Sequence, residues 1–193
     1  KSIGNGAFCV CKGLESISLS NSITDIGPFV FAYSGLTSIM IPDSVKSIGN
    51  GAFSDCYELT NIRIPNSVTN IEAYAFQFCS SLKSVTIPDA ITSIKEFTFW
   101  SCDELFSVTI PDSVTSIGSE AFSGCGSLKS VLFKGDAPSF VSGGAFSSVP
   151  ADCTVYVKGG SKGWNVEIPG VWNGLKIEYL TIIPDEDEGL YSV

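Results

Sequence analysis

The sequence predicts a strand-rich α/β solenoid: one stack of coils, each about 23 residues long, with short parallel strands joined by short helical or 3₁₀ turns. Three observations carry that expectation. Ile-Pro recurs at Ile41-Pro42, Ile64-Pro65, Ile87-Pro88 and Ile110-Pro111, each step 23 residues. Phe53, Phe76, Phe99 and Phe122 keep the same spacing, as do Cys56, Cys79, Cys102 and Cys125. Before each proline the residues alternate apolar and outward, as in Ile62, Arg63, Ile64 and Val85, Thr86, Ile87. A fixed period of roughly 20 to 50 residues marks a repeat architecture, because one unit cannot bury its apolar face alone and must stack on the next.

The period also runs outside its best copies. Backwards it passes through Ile26, Phe31, Leu36 and Ile39, where one residue is missing and Ser34 holds the cysteine place, to Phe8, Cys11, Leu14 and Ile17. Forwards it passes through Phe146, Val149, Val155 and Val157 after a one-residue insertion.

Each element of a coil follows from its residues. Val131, Leu132 and Phe133 have period two, hence a strand with its first and third side chains inward. In the better copies proline then ends the strand. Asp43, Asn66, Asp89 and Asp112 supply turn chemistry and are expected to bond their own turns and face water, a column that calcium would suit only with a Gly-rich pattern the sequence lacks. A second extended piece turns Val114 and Ile117 inward. Residues 119 to 123, with Ala121 and Phe122, read as one helical or 3₁₀ turn, too short to form alone. Cys125 and Leu128 bring the chain to the next strand. Seven strand positions from Ile17 to Val157 imply a rod about 30 Å long.

The solenoid is expected over residues 1–157, a C-terminal cap over 158–183 with Trp164 and Trp172 plugging the last coil, and an acidic tail over 184–193 that includes Asp185, Glu186, Asp187 and Glu188.

Composition removes whole classes of function. There is no histidine among 193 residues, which rules out Ser-His-Asp and Cys-His nucleophile pairs and His-based zinc sites. Eleven basic residues form no run and the net charge is −9, so nucleic acid is not the expected partner. No apolar run approaches the length of a membrane span. The chain starts at Lys1 and its one methionine is Met40, which leaves a leader peptide ahead of it open.

The cysteines point to a buried apolar column rather than to chemistry. Seven is an odd number, the column tolerates Ser34 and Val149, and Cys9 and Cys11 lack the spacing of a zinc pair. No catalytic residue, metal site or cofactor is expected; Glu96 and Glu120 are the nearest approach to paired acids, and they fall on a convex turn.

Two surfaces remain as candidate binding sites. In the column before the recurring alanine, Gly51 and Gly144 are small, whereas Tyr74 and Phe97 are aromatic on adjacent coils, with Trp100 three residues after Phe97. On a helical turn Phe97 and Trp100 would share a face beside Tyr74, the kind of cluster a protein or glycan partner uses. The second surface is the outward strand face, with Ser18, Met40, Arg63, Thr86, Thr109, Leu132 and Tyr156.

The string Cys56, Leu59, Ile62, Ile64, Pro65, Val68, Ile71, Ala75 and Phe76, repeated in phase, resembles the BspA-type leucine-rich repeat, closely over residues 3–133 and more loosely to 157. The segment from Cys153 to Trp164 is similar to the terminal cap of such proteins. The resemblance implies a leucine-rich-repeat fold and a surface or secreted protein of the kind found in mucosal and gut bacteria and some parasitic protists, adhesin-like in binding matrix proteins or other cells. It implies no shared catalytic residues. The expected role is therefore non-catalytic recognition of a protein or glycan, extracellular or at the cell surface; a rigid spacer displaying other domains is the alternative.

Overall fold

The computed structural model of the chain describes residues 1–180. The chain lays down β1 (Ser2–Ile3) and β2 (Asp25–Ile26), then alternates longer and shorter strands: β3 (Ser38–Met40) with β4 (Ser47–Ile48), β5 (Asn61–Arg63) with β6 (Asn70–Ile71), β7 (Ser84–Thr86) with β8 (Ser93–Ile94), β9 (Ser107–Ile110) with β10 (Ser116–Ile117), and β11 (Ser130–Phe133) with β12 (Phe140–Val141). β13 (Thr154–Val157), β14 (Gly170–Trp172) and β15 (Leu175–Tyr179) follow.

The longer strands form one eight-stranded sheet, β3-β5-β7-β9-β11-β13-β15-β14, parallel except for the terminal β14–β15 pair. The shorter strands form two further parallel ladders, β1-β2-β4-β6 and β8-β10-β12. Registers place like on like, for example Val131 opposite Val108 and Val155, and Ile48 opposite Ile26 and Ile71.

The core is built of columns. The rings of Phe8, Phe31, Phe53, Phe76, Phe99, Phe122 and Phe146 stack in one pile with neighbouring centroids 5.2 to 5.5 Å apart. All but Phe8 are buried, as are Leu36, Leu59, Leu82, Leu105 and Leu128. Ile62 and Ile64 are inward, as the period-two pattern requires, and Val68 and Ile71 of the second extended piece are buried with them.

The expected helical turn is absent: among the described residues there is no helix of any kind. The reason lies in where the N–H groups go. In the coil from Gly51, the N–H groups of Gly51, Phe53 and Asp55 donate to the carbonyls of Ala73, Ala75 and Gln77 in the next coil, while those of Ala52, Ser54 and Cys56 close three-residue turns within their own. A helix would turn every N–H back into its own coil and leave the stack without this ladder. The alternation is achieved by two left-handed residues per turn, such as Tyr74 (φ 63°) and Phe78 (φ 54°), or Phe97 (φ 54°) and Ser101 (φ 52°). Glycine takes these places at Gly51 and Gly124, where positive φ carries no Cβ penalty.

The turn after the proline also differs from expectation. The bonds come from the serine following the acid: Ser44, Ser67 and Ser113 hydroxyls donate to the carbonyls of Ile23, Val45 and Ile91 in the preceding coil. Asp43 and Asp89 instead approach Arg63 and Lys134, each at 3.8 Å.

The thiol column is a hydrogen-bonded one. Cys56, Cys79, Cys102 and Cys125 each donate Sγ–H to the carbonyl of the phenylalanine in the preceding coil, Phe31, Phe53, Phe76 and Phe99 respectively, at 3.0 to 3.3 Å. Cys11 departs from the buried column: it is exposed, because the first coil has no described coil before it.

Beyond residue 157 the parallel ladder continues with β15 on β13. Trp164 and Trp172 are buried against Phe133 with centroids 5.0 and 5.5 Å away, and pack edge-on to each other at 5.1 Å. Residues 181–183 of the expected cap and the acidic tail 184–193 lie outside the described residues.

Candidate ligand-binding surfaces

The turn edge places the three aromatic candidates in contact. Tyr74 and Phe97 stack with centroids 5.0 Å apart and planes 5° from parallel, and Trp100 meets Phe97 edge-on at 5.4 Å. A fourth ring, Phe78, packs on Trp100 at 4.6 Å. All four are half-buried, so each ring is partly covered by its neighbours and partly open to water. The grouping does not arise from a helical face: Phe97 is left-handed, and the next coil brings its ring over Tyr74 through the bond from the Tyr74 N–H to the Glu96 carbonyl.

Phe78 escapes the sequence reading because its column, Val10, Tyr33, Asp55, Ser101 and Gly124, mixes apolar and polar residues without a pattern. Phe29, Tyr33 and Tyr57, about half exposed on the two preceding coils of the same edge, also fall outside the sequence expectation, although Phe29 shares the column of Tyr74 and Phe97. A per-column search for aromatic residues finds them.

The strand face keeps its candidates in two separate pairs. Met40 is opposite Arg63 across β3–β5, and Leu132 is opposite Tyr156 across β11–β13. Met40 is 75% exposed and Arg63 is exposed, whereas Leu132 and Tyr156 are half-buried. Beside Arg63, the residues Asp43, Asn61, Asn66, Ser84 and Thr86 line an open groove of about 610 Å³.

The second groove, about 600 Å³, runs along the short-strand side from Glu72 past Lys95 and Gly118 to Ser142. The residue after each short strand forms a column of Gly4, Gly27, Gly49, Glu72, Lys95, Gly118 and Ser142. A Cβ at Gly27, Gly49 or Gly118 would fall 2.6 to 2.7 Å from backbone of the preceding coil. Glu72 and Lys95 are the one adjacent pair in this column with a side chain on both residues. There the ladder parts into its two sheets, with Glu72 Oε2 and Lys95 Nζ 2.7 Å apart across the gap. Hydrogen bonds from Asn70 and then Lys95 hold the Glu72 carboxyl below the usual range.

Buried thiols make poor nucleophiles here. Burial pushes Cys56 to about 11 and Cys125 to about 12, and Cys79 and Cys102 well above the ordinary thiol value. Among the described residues no three Cys, Asp or Glu side chains gather to hold a metal ion, and no helix is long and apolar enough to cross a membrane.

The family model described as "BspA type Leucine rich repeat region" matches in six copies over residues 1–105 and 47–151. Comparison with curated proteins finds no match. Among solved structures, the chain is similar to the T. pallidum leucine-rich repeat protein, with 27% identity over 74% of this chain and 72% of that one and a TM-score of 0.57. It is also similar to a leucine-rich repeat protein from Bacteroides ovatus ATCC 8483, with 25% identity and a TM-score of 0.59, covering 93% of this chain and 52% of that chain. The present chain therefore spans about half the length of the B. ovatus protein. With the repeat register, the columns and the family model in agreement, the chain belongs to the BspA-type leucine-rich repeat family.

Proposed function

We propose that this chain is a non-catalytic recognition module, adhesin-like and acting at the cell surface or outside the cell, that binds a protein or glycan through the turn-edge rings Tyr74, Phe97 and Trp100. The observation that carries the reading is the contact among these rings, stacked at 5.0 Å and edge-on at 5.4 Å, on a surface edge where water still reaches each of them. Aromatic anchors of this kind supply most of the energy at small interfaces, since they carry large apolar area at low entropic cost. The family supports the surface and adhesion parts of the reading, because its members are often surface adhesin-like proteins. The strand face with Met40, Arg63, Leu132 and Tyr156 serves as a second contact surface, and binding through several coils or molecules raises a modest single-site affinity by multivalency.

A rigid spacer displaying other domains is the second reading. What favours it is the backbone ladder on the turn edge, which runs from Gly6 to Ser147 and makes the stack a stiff strut. The two are separated by an array of matrix proteins and glycans probed with the wild-type chain and with the combined Tyr74→Ala, Phe97→Ala and Trp100→Ala variant. The recognition reading expects signals on the wild type that the variant loses; equal signals clear the rings of any role, and no wild-type signal at all favours the spacer.

A further inference from the structure

The second coil is one residue shorter than its neighbours, and the missing residue leaves a notch. Between Ser34 and Leu36 it has only Gly35, where the first coil has Lys12 and Gly13 and the third has Tyr57 and Glu58. Gly35 is buried, its N–H bonds to the Cys11 carbonyl, and a Cβ on it would fall 2.1 Å from the Lys12 carbonyl oxygen. The backbone is thus drawn in against the first coil, and no side chain rises from it. The space above is a groove of about 420 Å³ lined by Lys12, Tyr33, Ser34, Gly35, Tyr57 and Glu58.

Its walls are held in place. Tyr57 donates its phenol to Asp55 Oδ1 at 2.7 Å, the Ser54 hydroxyl donates to the same carboxylate, and Gln77 Nε2 donates to Ser54 Oγ at 2.8 Å. The carboxylate of Asp55, a residue 4% exposed, therefore fixes the Tyr57 ring from below. That bond pushes the Tyr57 phenol up to about 12, and the Asp55 charge raises Tyr33 as well, so both rings stay neutral. Tyr33 and Tyr57 are 47% and 51% exposed. At the lips, Lys12 and Glu58 form no ion pair and no side-chain hydrogen bond among the described residues.

We infer that this notch binds an uncharged sugar unit of a glycan. The inference rests on the recognition reading above but assigns it a contact on different residues. A carboxylated ligand that reaches Lys12 also meets Glu58 and the Asp55 charge, and an ammonium that reaches Glu58 meets Lys12. A neutral sugar ring satisfies both lips, donating a hydroxyl to Glu58 and accepting from Lys12, while its C–H face lies on tyrosine.

Saturation-transfer NMR of the full chain tests this, using a panel of neutral sugars (glucose, galactose, mannose, fucose, N-acetylglucosamine, N-acetylgalactosamine and their disaccharides) beside N-acetylneuraminic acid and a lysine peptide. At least one neutral sugar is expected to receive saturation on its ring C–H protons. Its affinity should fall roughly tenfold or more in Tyr57→Ala and in Glu58→Gln, the loss of one charge-assisted hydrogen bond. Glu58 is exposed and outside the core, so Glu58→Gln carries the test should Tyr57→Ala fail to fold. The inference is overturned if no neutral sugar binds, if only the charged probes bind, or if a folded Tyr57→Ala and Glu58→Gln bind as the wild type does. The Tyr74, Phe97 and Trp100 triple variant is expected to keep the sugar signal, so a failure of the ring patch leaves this result unchanged and the two readings fail separately.

Discussion

Lys95 Nζ lies 2.7 Å from Glu72 Oε2, and the pair spans the one place where the ladder of short strands parts. The long-strand ladder thins at the same coil interface, where β5 and β7 share the single register pair Asn61 with Ser84. On the turn edge the interface is closed again by the stacked rings of Tyr74 and Phe97. The stack thus has a seam between the coils that begin at β5 and β7, clamped by an ion pair on one side and by aromatic contact on the other.

The seam predicts uneven hydrogen exchange. The amides of Gly49, Glu72 and Gly118 bond to Ile26, Ile48 and Ile94 of the preceding coil, and Lys95 has no such bond to Ile71 among the described residues. Amide exchange followed by NMR should find Lys95 faster than those three. Equal protection at all four would show that the ladder closes in solution.

Acid should weaken this interface. The folded Glu72 carboxyl titrates below its ordinary range because Asn70 and Lys95 stabilise the charged form, so the unfolded chain takes up its proton first. Its contribution is present above the unfolded carboxylate value and is lost as pH falls through the folded one. Asp25, lowered by the hydroxyls of Ser47 and Thr24, behaves in the same direction. Urea midpoints measured from neutral pH downward should decline, and Glu72→Gln should flatten part of that decline. At neutral pH Lys95→Ala should cost less than about 1 kcal/mol, since both partners are more than a third exposed.

Removing one ring from the central pile should cost far more. Phe99 is 1% exposed and stacks on Phe76 and Phe122 at 5.4 and 5.3 Å. Phe99→Ala is expected to lower the unfolding free energy by about 3 to 5 kcal/mol in denaturant titration, and Phe99→Leu by less.

The thiols should separate by position. Cys11 is exposed and should react with a maleimide in the folded chain, while Cys56, Cys79, Cys102, Cys125 and Cys153 are buried and raised in pKa. Mass spectrometry after timed labelling should find these five modified only on the timescale of unfolding, and all seven in denaturant. Rapid native labelling of Cys102 would contradict the column.

Gly51 offers a paired test of the turn. It sits at φ 57°, and a Cβ there would fall 2.5 Å from the Phe29 ring. Gly51→Ala should destabilise by about 1 kcal/mol or more through backbone strain and the ring clash. Phe29→Ala in the same chain should recover the part due to the clash, and the double-mutant cycle measures how much.

The stacking was legible because the columns Ile, Phe, Cys and Leu repeat at one interval, and a stack that sets like on like needs no more information than that. The turn was not, because Ala121 and Phe122 in a short apolar run fit a helical turn as well as this one. The missed signal was glycine at Gly6, Gly51 and Gly124, in columns where Tyr74, Phe97 and Phe78 adopt the same left-handed φ without advertising it. A shared helical face would bring Tyr74, Phe97 and Trp100 together from sequence alone; the structure groups them through the coil-to-coil ladder instead. The notch over Gly35 was half visible as a missing residue; of its tyrosine walls, Tyr57 lies in a column that is otherwise Lys12, Ser80, Asp103 and Gly126, and Tyr33 in one of mixed character.

Inter-ring nuclear Overhauser effects in a sample labelled at phenylalanine test the stacking most directly. Centroids 5.3 to 5.4 Å apart require cross-peaks joining Phe53 to Phe76, Phe76 to Phe99 and Phe99 to Phe122 in one unbroken chain. A spectrum in which these rings contact unrelated side chains and not one another would contradict the account.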